Sequence, residues 1–215
     1  NLKFDIFSKN HLQMLRKCDT IKTNTMGGVM RIISGEAKGR RLLAPSGMET
    51  RPTSDKIRGS VFNIIGARVP DARVLDLFGG TGALALEALS RGAQSAVIVD
   101  ASRTAVQIIE RNAQNVVKQD FEARVRILKS DYRSAIGLLD GRVFDLVFLD
   151  PPYRMTEAYA DALLRLNAAR CLSPDCLVVL ERQKAVAVPV GEGFISYDTR
   201  FYGETAVEFL KLAQK

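Results

Sequence analysis

The run Val74-Leu75-Asp76-Leu77-Phe78 ends in Gly79-Gly80-Thr81-Gly82 and passes at once into Ala83-Leu84-Ala85-Leu86-Glu87-Ala88-Leu89. An apolar strand that stops at a glycine-rich turn and resumes as strong helix formers commits this part of the chain to a strand–turn–helix unit. Such a turn lets a ligand approach the backbone at the positive end of a helix. The same alternation recurs downstream. Strands are predicted at 73–77, 95–100, 125–129, 144–150 and 176–182, with helices near 83–90, 102–117, 132–139 and 156–170. Strands alternating with helices imply an α/β fold, a doubly wound, mostly parallel sheet with right-handed crossovers. A last pair of strands is expected at 193–200 and 204–210.

Upstream of this repeat the pattern changes. Residues 30–44 read as a small N-terminal β-hairpin extension whose Gly39-Arg40-Arg41 presents basic side chains, and 54–65 reads as a helix capped by Thr53 or Ser54. Residues 1–29 show little sustained periodicity and end near the break Gly27-Gly28. The chain therefore divides into an extension over 1–29, a basic element over 30–58 and a main domain over 59–215.

Two further motifs sit at strand ends. The run 96–99 closes on Asp100, placed to accept from the two hydroxyls of a ribose, or to cap the helix that begins near Ser102. The run 143–149 opens into Asp150-Pro151-Pro152-Tyr153. Proline fixes φ and donates no N–H, so Pro151-Pro152 makes a stiff backbone rich in acceptors beside a carboxylate and a ring. That set grips a flat, amine-bearing heterocycle, the acceptors taking its N–H groups and Tyr153 covering its face. The bland alternative is a turn with a surface tyrosine.

Gly80-x-Gly82-x-x-Ala85 also fits the dinucleotide fingerprint, so an NAD-binding protein is a rival reading. Against it, Asp76 would confront a pyrophosphate with negative charge, whereas it suits a cationic or amine-bearing cofactor. Hydride transfer, moreover, has no use for Asp-Pro-Pro-Tyr.

The three cysteines, Cys18, Cys171 and Cys176, cannot all pair and lack metal-ligand spacing; no metal site is expected. They read as reduced thiols in a reducing compartment, which points to the cytoplasm. The single histidine, His11, excludes a histidine-rich metal centre or a Ser/His/Asp triad in the main domain. No apolar stretch approaches the roughly 18 residues that cross a bilayer, and the first residues lack an apolar signal core, so no membrane association is expected. Charge is unevenly spread: residues 1–58 hold 12 Lys/Arg and 5 Asp/Glu, while 59–215 hold 19 of each. The whole excess of +7 thus lies ahead of the main domain, the distribution expected of an element that holds nucleic-acid phosphates. A solvated arm that binds nothing is the simpler alternative.

Asp76-x-Phe78-x-Gly80-x-Gly82, Asp100, Ser130-Asp131 and Asp150-Pro151-Pro152-Tyr153 occur in the order of the class I S-adenosylmethionine-dependent methyltransferases, in the branch that methylates exocyclic amines. From Met30 onward the chain resembles the RsmD family of bacterial 16S rRNA guanine-N2 methyltransferases. Besides those motifs, the likeness rests on 30–35, Gly39-Arg40-Arg41-Leu42, 51–58 and Tyr202-Gly203-Glu204-Thr205. It does not cover 1–29.

The resemblance implies a seven-stranded Rossmann-like class I methyltransferase sheet with an antiparallel C-terminal hairpin. It implies S-adenosylmethionine as cofactor, held by Asp76, Phe78, Gly79, Gly80, Thr81, Gly82, Asp100, Ser130 and Asp131. Asp131 would accept the adenine amine, or cap the helix before Tyr132. Asp150, Pro151, Pro152 and Tyr153 would hold and activate the guanine amine. The partner implied is 16S rRNA, free or within a 30S particle, with Arg31, Lys38, Arg40, Arg41, Arg51 and Arg58 as RNA contacts. Arg40 and Arg41 stand out because nothing in the sequence pairs with them; Tyr202 and Glu204 are expected to be structural. Nothing demands more than a monomer. A DNA adenine-N6 methyltransferase is the nearest alternative, since the same acid-Pro-Pro-Tyr grip serves that amine, although little chain remains for reading DNA sequence. A non-catalytic RNA-binding module is more distant.

Overall fold

The computed structural model describes residues 30–45, 55–139 and 141–213. Its centre is one seven-stranded sheet. Five strands are parallel: β1 (Arg73–Asp76), β2 (Ser95–Asp100), β3 (Val125–Lys129), β4 (Phe144–Leu149) and β5 (Leu172–Gln183). β6 (Phe194–Tyr202) and β7 (Thr205–Leu212) form an antiparallel pair, and β7 inserts between β5 and β6 to give the order 3-2-1-4-5-7-6. The helices are α1 (Asp55–Ile64), α2 (Ala83–Ser90), α3 (Arg103–Val117), the single turn α4 (Phe121–Arg124), α5 (Tyr132–Gly137) and α6 (Glu157–Ala168).

The middles of the central strands are largely apolar because helices cover both faces, as parallel sheets require. Val74, Ile98 and Phe148 point into one core with residues of α1, α2 and α3, where the Phe62 and Phe148 rings lie 5.8 Å apart. Leu75, Val97 and Val147 point into the other, against Tyr132, Ala135 and Ile136 of α5 and Ala158, Ala162 and Leu166 of α6. Each large apolar side chain buried in this way contributes on the order of 1.5–3 kcal/mol. α3 forms because Ala105, Val106, Ile109, Ala113 and Val116 recur on one face, and Ser102 caps it by accepting from the Ala105 N–H at 3.4 Å. Cys171 and Cys176 lie in the second core, where burial pushes their thiols up to about 11 and about 12.

Three expectations need correction. The element over 30–44 is not a hairpin of regular strands. It holds one antiparallel bridge, Arg31 to Arg41, flanked by Ile32 N–H to Arg40 O and Leu42 N–H to Met30 O, both 2.9 Å. Its wide turn bonds to the main domain as well as to itself: the Glu36 N–H reaches Ser90 O at 2.7 Å and the Ala37 N–H reaches Ser90 Oγ at 2.9 Å. Next, β5 begins at Leu172 rather than at 176. Pairing steps from Phe144–Leu172 to Leu146–Leu177, so the turn formers Ser173-Pro174-Asp175 are accommodated as an irregularity within the strand. Finally, α4 and the 3₁₀ turn Lys118–Asp120 fill a stretch the sequence pattern leaves as a connection. The predicted caps Thr53 and Ser54 and the extension over 1–29 lie outside the described residues.

Candidate active site

Strand register brings the motifs together. Asp76, the last residue of β1, pairs with Ile98 on one side and Phe148 on the other. Asp100 and Asp150 therefore lie two residues beyond those partners, at the carboxyl edge on either side of β1. With neighbouring strands about 4.8 Å apart, they flank it across roughly 10 Å. This is where the strand order reverses: β2 and β3 follow β1 outward on one side, and the chain then crosses back to place β4 on the other side of β1.

On the β2 side the glycine-rich turn is held closely. The Gly79 N–H donates to Val99 O at 2.8 Å, and a Cβ at Gly79 would stand 2.5 Å from the Ile98 Cγ2 and 3.0 Å from the Ile109 Cδ1. Only glycine lets the turn lie this near β2 and α3. Gly82 enters α2 in the left-handed region at φ 79°, and Thr81 between the glycines is buried. Asp100 spans turn and helix: one oxygen accepts the Gly80 N–H at 2.9 Å, the other the Ser102 N–H at 2.8 Å. Ser102, not Asp100, is the cap of α3. Each carboxylate oxygen has a further lone pair for a hydroxyl.

Asp76 is only 2 % exposed. Burial pushes its carboxyl up to about 7; the nearby charge of Asp100 adds to this, while N–H groups of Phe78 and Ala85 oppose it. A buried acid beside a second acid attracts a cationic group and repels a phosphate. Phe78 packs at 5.4 Å, ring centroid to ring centroid, against Tyr132, whose hydroxyl donates to Asp161 Oδ2 at 2.7 Å. Asp131 is exposed and caps α5, accepting from the Arg133 and Ser134 N–H groups at 3.0 and 3.1 Å through Oδ1. These bonds, those from Ser134 foremost, hold its carboxyl below the usual range. Ser130, just before it, donates its N–H to Asp100 O at 3.1 Å.

On the β4 side, Pro151 is buried, Pro152 is exposed, and Tyr153 is 39 % exposed. The Pro152 carbonyl is already used: it accepts the Met155 N–H at 2.8 Å and closes the turn into α6.

The basic candidates separate. Lys38 and Arg41 are exposed. Arg31 is exposed but ion-paired with Asp55 at 3.6 Å. Contrary to expectation, Arg40 does have partners: its guanidinium donates to Asn115 O, and to Val116 O at 3.3 Å, capping the carbonyl end of α3. Arg58 is no surface contact at all. It is 1 % exposed, bonded to Asp55 Oδ1 at 3.0 Å and to Arg31 O, with Glu87 Oε2 3.7 Å from its Nε. Arg51 lies outside the described residues. Tyr202 has the structural role expected of it, its hydroxyl 2.7 Å from Ser60 Oγ.

Sequence reasoning missed Glu87 and Asn112. Glu87, wholly buried in α2, accepts the Ile33 N–H at 2.7 Å, the Ser34 N–H at 3.0 Å and the Arg91 Nε–H at 2.7 Å. Its signal was available: one acid amid a helix of alanine and leucine. Asn112 interrupts the apolar stripe of α3 in the same way.

Sheet order, crevice and strand-end acids together define a class I methyltransferase. The chain belongs to the RsmD family of methyltransferases: the family model described as "Conserved hypothetical protein 95" matches residues 30–211. "Putative rRNA methyltransferase YlbH" of Bacillus subtilis is 37% identical over 186 residues, covering 85% of this chain and 98% of that protein. "Ribosomal RNA small subunit methyltransferase D" of Escherichia coli is 37% identical over 134 residues, 62% of this chain and 65% of that protein. Among solved structures, "Putative methyltransferase yhhF" from Escherichia coli superposes with a TM-score of 0.74 at 29% identity, covering 87% of this chain and all of that one. Among the described residues no helix is long and apolar enough to cross a membrane, and no group of three or more His, Cys, Asp or Glu is arranged to hold a metal.

Proposed function

We propose that this protein transfers a methyl group from S-adenosylmethionine to the exocyclic N2 amine of a guanine in 16S rRNA of the small ribosomal subunit. The observation that carries the reading is the register at β1, which sets the glycine turn with Asp76 and Asp100 on one side and Asp150-Pro151-Pro152-Tyr153 on the other. The RNA class is supported by the curated relatives, named as rRNA methyltransferases.

The residues present suit the cofactor. Asp76 favours its cationic part, Gly79–Gly82 offers close backbone approach, Asp100 takes the ribose hydroxyls, and Ser130-Asp131 takes the adenine amine. When bound, S-adenosylmethionine supplies an electrophilic methyl on a sulfonium. The protein's task is to position a poor nucleophile, because the lone pair of guanine N2 is delocalised into its ring. Asp150 and the Pro151 carbonyl accept the two N–H bonds of that amine, fixing the nitrogen and shifting electron density toward it. The carboxylate would also stabilise the positive charge that grows on nitrogen as the new N–C bond forms and the methyl–sulfur bond breaks. It would then accept the proton that the methylated nitrogen sheds, S-adenosylhomocysteine being the leaving group. Holding nucleophile and methyl in line removes several kcal/mol of barrier, of the ~7–11 kcal/mol that full preorganisation supplies. Tyr153 stacks on a base drawn out of its helix or loop. Residues 59–215 form the catalytic domain, and exposed Lys38 and Arg41 in the basic element over 30–58 contact RNA phosphates.

The test is methyl transfer from radiolabelled S-adenosylmethionine to unmethylated small-subunit rRNA, both naked and assembled into 30S particles, with duplex DNA as the competing acceptor. Label in either RNA form supports the reading. Label in DNA alone moves the assignment to an adenine amine.

A further inference from the structure

Among the polar groups of the described structure that the proposed chemistry leaves unused, Asn112 is distinctive. It sits on α3, is 1 % exposed, and contacts two parts of the chain that have no sequence connection to each other. Its Oδ1 accepts the Leu43 N–H at 2.7 Å, and its Nδ2 donates to Leu43 O at 3.0 Å and to Thr81 O at 2.9 Å. Leu43 belongs to the outgoing arm of the basic element, while Thr81 is the buried centre of the glycine turn. The opposite arm touches the same residue: Thr81 Oγ1 donates to the Met30 Sδ at 3.4 Å. One carboxamide with three of its four hydrogen-bonding positions engaged therefore locks turn and arm into a single arrangement.

We infer that Asn112 is a positioning residue that couples cofactor binding at the glycine turn to RNA docking by the element over 30–45. The inference rests on the reading of the two sites given above. It adds that they share one energetic unit. A ligand that orders the turn fixes the Thr81 carbonyl; through Asn112 it fixes both backbone groups of Leu43, so a second ligand meets an arm already ordered. The coupling is positive, and by linkage it is reciprocal: the factor by which cofactor tightens RNA binding equals the factor by which RNA tightens cofactor binding. Couplings of this kind typically run from about 5-fold to about 150-fold. The lower end suits a path of three hydrogen bonds.

The experiment uses the full chain and S-adenosylhomocysteine, which binds without turnover. Its affinity is measured by calorimetry with and without unmethylated small-subunit rRNA, and amide exchange at Leu43 is followed with and without it. The expected result is roughly fivefold or greater mutual tightening, the low end of typical coupling, and slower exchange of the Leu43 N–H on adding S-adenosylhomocysteine alone. Asn112→Asp keeps the acceptor for the Leu43 N–H but loses both donated bonds; it should bring the coupling factor to near one while each ligand still binds by itself. Asn112→Ala should do the same where it folds. The wild-type measurements decide the matter even if neither variant folds. Binding of both ligands with no mutual effect and unchanged Leu43 exchange overturns the coupling but leaves the proposed function intact. Failure to bind S-adenosylhomocysteine at all overturns both.

Discussion

Burial holds the carboxyl of Asp76 near neutrality, and the consequence for binding is directional. Protonated Asp76 offers a cation nothing, so affinity for S-adenosylmethionine should fall as pH drops below about 7. Affinity for S-adenosylhomocysteine, which lacks the sulfonium charge, should respond less. Calorimetric titrations on either side of neutrality check this, and Asp76→Asn should flatten the difference. Stability runs the other way in the ligand-free protein. The folded carboxyl holds its proton more tightly than the unfolded one at 3.8, so its contribution is greatest below 3.8 and is lost as pH rises to about 7. Across the crevice, Asp150→Ala should abolish methyl transfer while S-adenosylhomocysteine still binds, because Asp150 serves the amine and not the cofactor. Single-turnover methyl transfer with parallel calorimetry separates the two effects; normal turnover in that variant removes Asp150 from the chemistry.

At the level of elements, the parallel strands and their helices were legible because periodicity and glycine placement are local signals. β2, β3 and α2 fall where the pattern puts them, and Asp76, Asp100 and Asp150 come to one edge as the doubly wound order requires. What was not legible depends on contacts between distant residues. Arg58 and Arg40 read as surface cations because, apart from Asp55 three residues before Arg58, the groups that bury or anchor them are remote in sequence. Their partners, Glu87 and the carbonyl end of α3, lie 29 and 75 or more residues away and become visible only once the chain is folded. Gly35 carries the same lesson: a Cβ there would lie 1.8 Å from Ser90 O, a close approach that its own neighbours do not announce. The buried Arg58–Glu87 pair makes a sharp prediction. Glu87→Ala leaves Arg58 buried without its main countercharge and the Ile33 and Ser34 N–H groups without an acceptor. Breaking a buried pair from one side costs about 3–5 kcal/mol, to be read from the shift of a urea unfolding curve. A loss below ~1 kcal/mol would mean the surrounding backbone carries the docking of residues 30–45 without this pair.

The molecule as a whole divides its labour by charge. In the proposed reading residues 59–215, with 19 basic and 19 acidic residues, perform the chemistry, and the excess of +7 lies upstream of them. Burial of Arg58 and anchoring of Arg40 narrow the predicted RNA contacts among the described residues to Lys38 and Arg41, with Arg31 shared with Asp55. The double change Lys38→Ala/Arg41→Ala should therefore weaken rRNA binding and flatten its salt dependence, by about 0.7–0.9 in log–log slope for each phosphate that is no longer neutralised. Arg40→Ala should act mainly on stability, through the carbonyls it caps. The claim that joins these parts is that Asp150-Pro151-Pro152-Tyr153 presents a guanine amine to the methyl donor held by the glycine turn. It is tested most directly by digesting labelled rRNA to nucleosides after a single round of methyl transfer and identifying the product by mass and chromatography. N2-methylguanosine is the predicted product; N6-methyladenosine, or label on any ring carbon or ribose, would contradict the account.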